Sequence, residues 1–67
     1  MTSAQARALA LEDGYKTIQT GAGWVELASW PGPESDGWSY RPGHCLACND
    51  GRALAVSIFP LAVSVEG

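Results

Sequence analysis

"YKTIQTGAGWVELASW", residues 15–30, is where the pattern of this chain changes from helical to extended. "YKTIQT" alternates and carries β-branched side chains, so Tyr15 to Thr20 is predicted to be a strand. "GAG" at Gly21–Gly23 reads as a turn. "WVELASW" alternates again. Trp24, Glu26, Ala28 and Trp30 share one strand face; Val25, Leu27 and Ser29 share the other. Two tryptophans on one face are a large apolar contribution to so small a domain.

Upstream, Thr2 to Leu11 reads as a helix. Thr2 is placed to cap it, with Gln5 completing a capping box. Alanine and leucine favour the helical backbone, and Gly14 is a natural left-handed stop. Ala6, Leu9 and Ala10 form an apolar stripe, with Ala4 or Leu11 at its margins. Glu12 and Asp13 stand at the end where the helix dipole disfavours negative charge.

Downstream, "PGPESDG" (31–37) is a polar loop with repeated breaker residues, expected to be the most mobile element. "WSYR" resumes β character, and Pro42–Gly43 marks a turn. "HCLAC" reads as a strand, "NDGR" as a hairpin turn, and "ALAVSIF" as the last clear strand. Pro60 ends or bulges it, and "LAVSV" is a possible continuation. The fold class is therefore α+β: one N-terminal helix packed on an antiparallel sheet of roughly three to five strands, with short turns favouring a meander. Leu9, Trp24, Val56, Ile58 and Phe59 are the core candidates.

The chain has 67 residues and reads as one small domain, 1–67. A domain of this size buries only about 60% of the surface its unfolded chain exposes. That leaves little room for a pocketed enzyme with separate substrate and cofactor regions, and the expectation is a protein that is not an enzyme and takes no cofactor. The formal net charge is −3, and the cations are Arg7, Lys16, Arg41 and Arg52. Spread along the chain, they make no stripe that tracks a phosphate backbone, so direct nucleic-acid binding is not expected. The acidic residues Glu12, Asp13, Glu26, Glu34, Asp36, Asp50 and Glu66 can instead face a basic partner or simply keep the domain in solution. No apolar run reaches the roughly 18 residues of a membrane span, and no export signal heads the chain. A cytoplasmic location follows as the expectation, with reduced cysteines. The chain reads as a complete small reading frame, and its abundant alanine and scarce lysine suggest a bacterial or phage origin.

"GHCLACNDGR" (43–52) holds both cysteines and the single histidine. A structural zinc site wants four ligands, usually two pairs, and here Cys45 and Cys48 form one pair with no second. Adjacent His44 and Cys45 point to opposite strand faces. A redox Cys-x-x-Cys needs a helix N-terminus to activate the first thiol, and this one runs into a hairpin turn. The reading preferred is two small apolar residues in or beside the sheet, with no metal site. The zinc or thiol module stays open as an alternative.

With no chemical site, function is expected at a surface. Tyr15, Trp24, Trp30, Trp38 and Tyr40 crowd a short span, and such residues dominate both small cores and binding hot spots. Trp38, beside the loop, is the candidate exposed anchor. Glu34 and Asp36 on the loop, joined by Glu12 and Asp13 where the helix end lies nearby, form a candidate carboxylate cluster for a protein partner. In size, charge and absence of catalytic motifs, the whole chain resembles the small proteins that phages encode against host defence, the anti-CRISPR proteins. That resemblance implies inhibition by binding a CRISPR effector subunit in the host cytoplasm and blocking its access to target DNA. A competing reading is a small structural or regulatory subunit, either monomeric or a homodimer paired through its apolar last strand.

Overall fold

A computed structural model describes residues 1–43, 45–48 and 51–61. Helix α1 (Ser3–Glu12) is followed by strands β1 (Thr17–Thr20) and β2 (Gly23–Glu26), a 3-10 turn (Leu27–Ser29), and strands β3 (Ser39–Tyr40), β4 (Cys45–Ala47) and β5 (Ala53–Ser57). All strand pairs are antiparallel, and the helix packs on a five-stranded open sheet. The α+β architecture is the one the sequence predicts.

Helix α1 starts as its sequence dictates. Thr2 is extended, its hydroxyl accepts from the Gln5 N–H at 3.2 Å, and its own N–H donates to Gln5 Oε1 at 2.9 Å. This reciprocal bonding occupies first-turn donors that have no partner inside the helix. At the other end Gly14 takes φ +91°, and the Tyr15 N–H reaches back to the Ala10 carbonyl. Only glycine adopts that backbone without strain. The buried side of α1 is Ser3, Ala6 and Ala10. These small side chains let the helix backbone lie close to the sheet. Leu9 and Leu11 are exposed instead, so Leu9 is not a core residue.

The strand order is β2-β1-β5-β4-β3 rather than a simple meander. The β1–β2 hairpin forms as expected, and β3, β4 and β5 follow one another. Between them the chain crosses from one edge of the sheet to the other, so that β5 pairs with β1. Cross-strand partners Ile18–Val25, Ile18–Val56, Leu46–Leu54 and Tyr40–Leu46 fix the helix-facing side. Of these, Ile18, Val56 and Leu46 are buried; Val25, Leu54 and Tyr40 pack against them. The opposite side carries Thr17, Gln19, Trp24, Glu26, Ser39, Ala47, Ala53, Ala55 and Ser57, since strand side chains alternate. That settles which face of β5 looks inward.

The crossover departs from the sequence reading. Strand character ends at Glu26, and the 3-10 turn drives Leu27 into the core and swings Trp30 inward after it. Trp24 and Trp30 therefore do not share a face. Trp30 is buried, whereas Trp24 keeps 44% of its surface in solvent. Trp30 meets Trp38 edge to face, with centroids 5.6 Å apart. Trp38 is only 3% exposed, with its indole N–H on Ser35 Oγ at 2.9 Å. The expected exposed anchor is a core residue, because its neighbours are tied to the helix start.

Those ties run along the whole 31–37 loop. The Ser3 N–H donates to the Ser35 carbonyl and its hydroxyl to the Pro33 carbonyl. The Trp38 N–H donates to the Met1 carbonyl, and Arg7 Nη1 donates to the Trp30 carbonyl. The loop expected to be mobile is a strap anchored across the N-terminal end of α1. Gly32 holds φ +58°, and a Cβ built there would lie 3.1–3.3 Å from the Trp30 ring.

Of the core candidates Val56 is buried; Trp24, Ile58 and Phe59 are not. Ile58 and Phe59 follow the last residue of β5 and are exposed. The described part of the 44–52 segment fits a hairpin. The Cys48 N–H donates to the Arg52 carbonyl, and Gly51 takes φ +86°. Asn49 and Asp50 of the expected turn, the His44 reading and the continuation beyond Leu61 lie outside the described residues.

Replacing Gly32 with alanine is expected to destabilise the fold by about 1–2 kcal/mol through its left-handed backbone, and by more if the Trp30 ring must shift. Phe59→Ala should stay within about 0.5 kcal/mol of the parent. Urea denaturation of both variants checks the contrast.

Candidate protein-interaction surface

The sheet face turned away from α1 has small and polar side chains at its centre and large apolar ones at one end. Trp24 and Glu26 project from the same side of edge strand β2. Beside them the chain leaves β5 through Ile58, Phe59 and Pro60. The Thr17 hydroxyl donates to the Phe59 carbonyl at 3.0 Å, and the Phe59 N–H donates to Ser57 Oγ at 3.1 Å. The backbone of Phe59 is thus fixed on both sides, yet its side chain is 72% exposed. An aromatic ring on an anchored backbone loses little further freedom on binding, which favours its use as an anchor.

Trp24, Thr17, Ser57, Phe59, Pro60 and Leu61 line one open groove. Pro60 and Leu61 also wall a second, which continues past Glu26, Ala28, Lys16 and Tyr15 to Leu11 and Gly14 at the end of α1. The two grooves share Pro60 and Leu61, and Glu26 and Lys16 are the charged residues of the second. Sequence reasoning placed Trp24 in the core and counted Glu26 only among the acids that can face a basic partner, outside the candidate carboxylate cluster. The signal that exposes them is the 3-10 turn after Glu26, which alternation alone does not reveal.

The predicted site residues fall into separate places. Glu34 and Asp36 are exposed on the strap at the start of α1; Glu12 and Asp13 stand at its far end, about 15 Å away along the axis. They do not converge into one carboxylate cluster. The Asp36 carboxylate lies 3.3 Å from the terminal ammonium of Met1. The Gly37 N–H and that ammonium hold its pKa below the ordinary aspartate value. Asp13 accepts a hydrogen bond from the Tyr40 hydroxyl at 2.5 Å. The Tyr15 ring stands edge-on to Tyr40 at 6.2 Å, and Tyr15 Oη accepts the Gly43 N–H at 2.5 Å. Desolvation of the phenol first, and then the hydrogen bond and charge of Asp13, push the Tyr40 pKa well above the usual tyrosine value. This cluster fastens the end of α1 to the β3–β4 turn.

Cys48 is half-buried and packs against the core. Among the described residues no group of three or more His, Cys, Asp or Glu could hold a metal ion. His44, which stands beside the one cysteine pair, lies outside them. Among the described residues, no helix is long and apolar enough to cross a membrane. No family model matches the chain, and neither a curated protein nor a solved structure matches it.

The two titrating groups make predictions of opposite sign. Asp36 has a lowered folded pKa, so its contribution is present above the unfolded aspartate value and is lost as the pH falls through the folded one. Asp36→Asn should flatten the acid side of the stability profile. Tyr40 has a raised folded pKa, so its contribution is whole below the unfolded value of 10.0 and is lost as the pH rises. Ultraviolet titration should show the Tyr40 phenol ionising late, and Asp13→Asn should bring it earlier without returning it fully to the free value.

Proposed function

We propose that this chain is a non-catalytic inhibitor of the anti-CRISPR type, acting in the cytoplasm of the host cell. It would seat the Trp24–Phe59 groove on one protein subunit of a CRISPR effector and so deny that complex its target DNA. The observation that carries the binding surface is the pairing of a fixed Phe59 backbone with a solvent-facing ring, next to a half-exposed tryptophan on the sheet face turned away from α1. Aromatic anchors set in a groove are the usual centre of an interface. The choice of target class rests on the resemblance in size, charge and lack of motifs.

The carboxylates support a steric block over imitation of DNA. Mimicry of a phosphate backbone needs acids in a row, and here Glu34 and Asp36 stand at the opposite end of α1 from Glu12 and Asp13. Glu26 beside Trp24 is the acid placed to select a partner with a basic rim. Charged rims govern association rate and partner choice more than affinity.

The test is phage plating on hosts that carry different CRISPR systems, each targeting the challenge phage. Expression of the chain should restore plating in one host, and the matching effector should retain it in a pull-down. Trp24→Ala and Phe59→Ala should each weaken that binding by about tenfold or more while leaving the melting temperature nearly unchanged. Failure to restore plating in any host contradicts the inhibitor reading. Restored plating with unimpaired binding by both variants contradicts the surface.

A further inference from the structure

We propose that the free edge of β2 takes up an extended segment of a protein partner as an added antiparallel strand, and that this segment carries one basic residue opposite Glu26. The inference rests on the binding surface proposed above and not on the choice of target class.

β2 and β3 are the edges of the sheet, and β3 is only Ser39–Tyr40. The direction of the β2 backbone groups follows from its register. The Leu27 N–H donates to the Lys16 carbonyl, so Thr17–Glu26 and Gln19–Trp24 are the non-hydrogen-bonded pairs, whose backbone groups turn away from each other. The N–H and C=O of Trp24 and the N–H of Glu26 therefore point out from the edge, and they have no hydrogen-bond partner among the described residues. The Glu26 carbonyl instead opens the 3-10 turn. Donors and an acceptor in this spacing are matched by another extended chain, whereas a helix uses its own backbone groups internally. β2 contains no proline or lysine to guard it, and Glu26 is its one charge.

The flanking side chains select the segment. Trp24 and Glu26, on the sheet face turned from α1, stand beside alternate residues of an added strand. On the other side Thr20, Val25, Ser29, Trp30 and Pro31 wall a pocket with Glu26. The residue opposite Val25 points to that side, and an apolar side chain fills the pocket. Glu26 forms no ion pair with a described residue; Ser29 Oγ reaches it at 3.5 Å. Lys16 lines a groove with it unpaired, and Arg7 is held on the Trp30 carbonyl. With these two cations near, Glu26 is a single point of negative charge, so the segment carries one basic residue there and uncharged ones beside it. Antiparallel pairing continues the pattern of the sheet and is the more stable form. In that direction the segment reads basic, apolar, apolar, opposite Glu26, Val25 and Trp24 in turn. A second copy of β2 does not fit: it has no basic residue and would bring two Glu26 carboxylates onto one sheet face.

Selection of yeast-displayed random linear peptides on the intact chain tests this, with Glu26→Pro as the counter-target. Glu26 has φ −66°, the angle proline imposes, and its N–H takes no part in the β1–β2 ladder, so this variant keeps the hairpin. Circular dichroism checks its fold. Enriched peptides should share a basic residue followed by two apolar ones. A synthetic peptide of that sequence should bind Glu26→Ala a few-fold more weakly than the parent, and Glu26→Pro about tenfold or more below Glu26→Ala. N-methylation of its residue opposite Trp24 should cause a comparable loss with the protein unchanged, and N-methylation opposite Val25 much less. Equal binding to the alanine and proline variants, or indifference to both N-methyl groups, overturns strand addition. Enriched peptides without the basic residue, or binding that Glu26→Ala leaves unchanged, overturn the role of Glu26. No enrichment on the parent over Glu26→Pro overturns the proposal whatever the plating assay shows. Enrichment of the expected sequence supports it even where no host restores plating, which contradicts the inhibitor reading alone.

Discussion

The edge-on contact of Trp30 with Trp38 is the interaction on which the rest of this fold depends. The fully buried large side chains of the described core are only Ile18, Leu27 and Leu46. The helix contributes alanines and a serine to the interior. Without the two indoles, the space between the helix start and the crossover would have little to fill it. A small domain gains disproportionately from such aromatic burial, because so little of its surface can be hidden in other ways. The strap between the two rings is what keeps them there. Its Pro33 and Ser35 carbonyls take Ser3, the Trp30 carbonyl before it takes Arg7, and Gly32 leaves space for the Trp30 ring.

Spending two of the three tryptophans on that crossover decides what is left for recognition. The strap moves the chain to the far edge of the sheet, so β5 closes onto β1 and its trailing residues emerge beside Trp24. Phe59 and Trp24 become neighbours of one groove only because β1 is flanked by β2 and β5. The crossover that buries Trp30 and Trp38 and the exposed aromatic groove thus follow from one topological choice. The separation of the acids has the same origin, since the strap carries Glu34 and Asp36 to the helix start.

Local rules were legible where the cause is local. The capping box of Thr2 and Gln5, the left-handed stop at Gly14 and the antiparallel hairpin of β1 and β2 all follow from neighbours in sequence. The α+β class followed from the change in period after Gly14. The exchange of roles between Trp24 and Trp38 was not legible. It depends on a 3-10 turn at Leu27 that the alternation of "WVELASW" conceals, and on hydrogen bonds between residues some 30 positions apart. The exposure of Ile58 and Phe59 was hidden for a related reason. Their apolar character matches the strand before them, and alternation does not show that the strand ends at Ser57 and leaves both exposed among the described residues.

The most direct measurement is acrylamide quenching of tryptophan fluorescence in the folded chain and in Trp24→Phe. The account predicts one readily quenched component and a protected remainder in the parent. In Trp24→Phe only the protected emission should survive. An accessible component that persists in Trp24→Phe would mean that Trp30 or Trp38 faces solvent, contradicting both the buried aromatic pair and the surface derived from it.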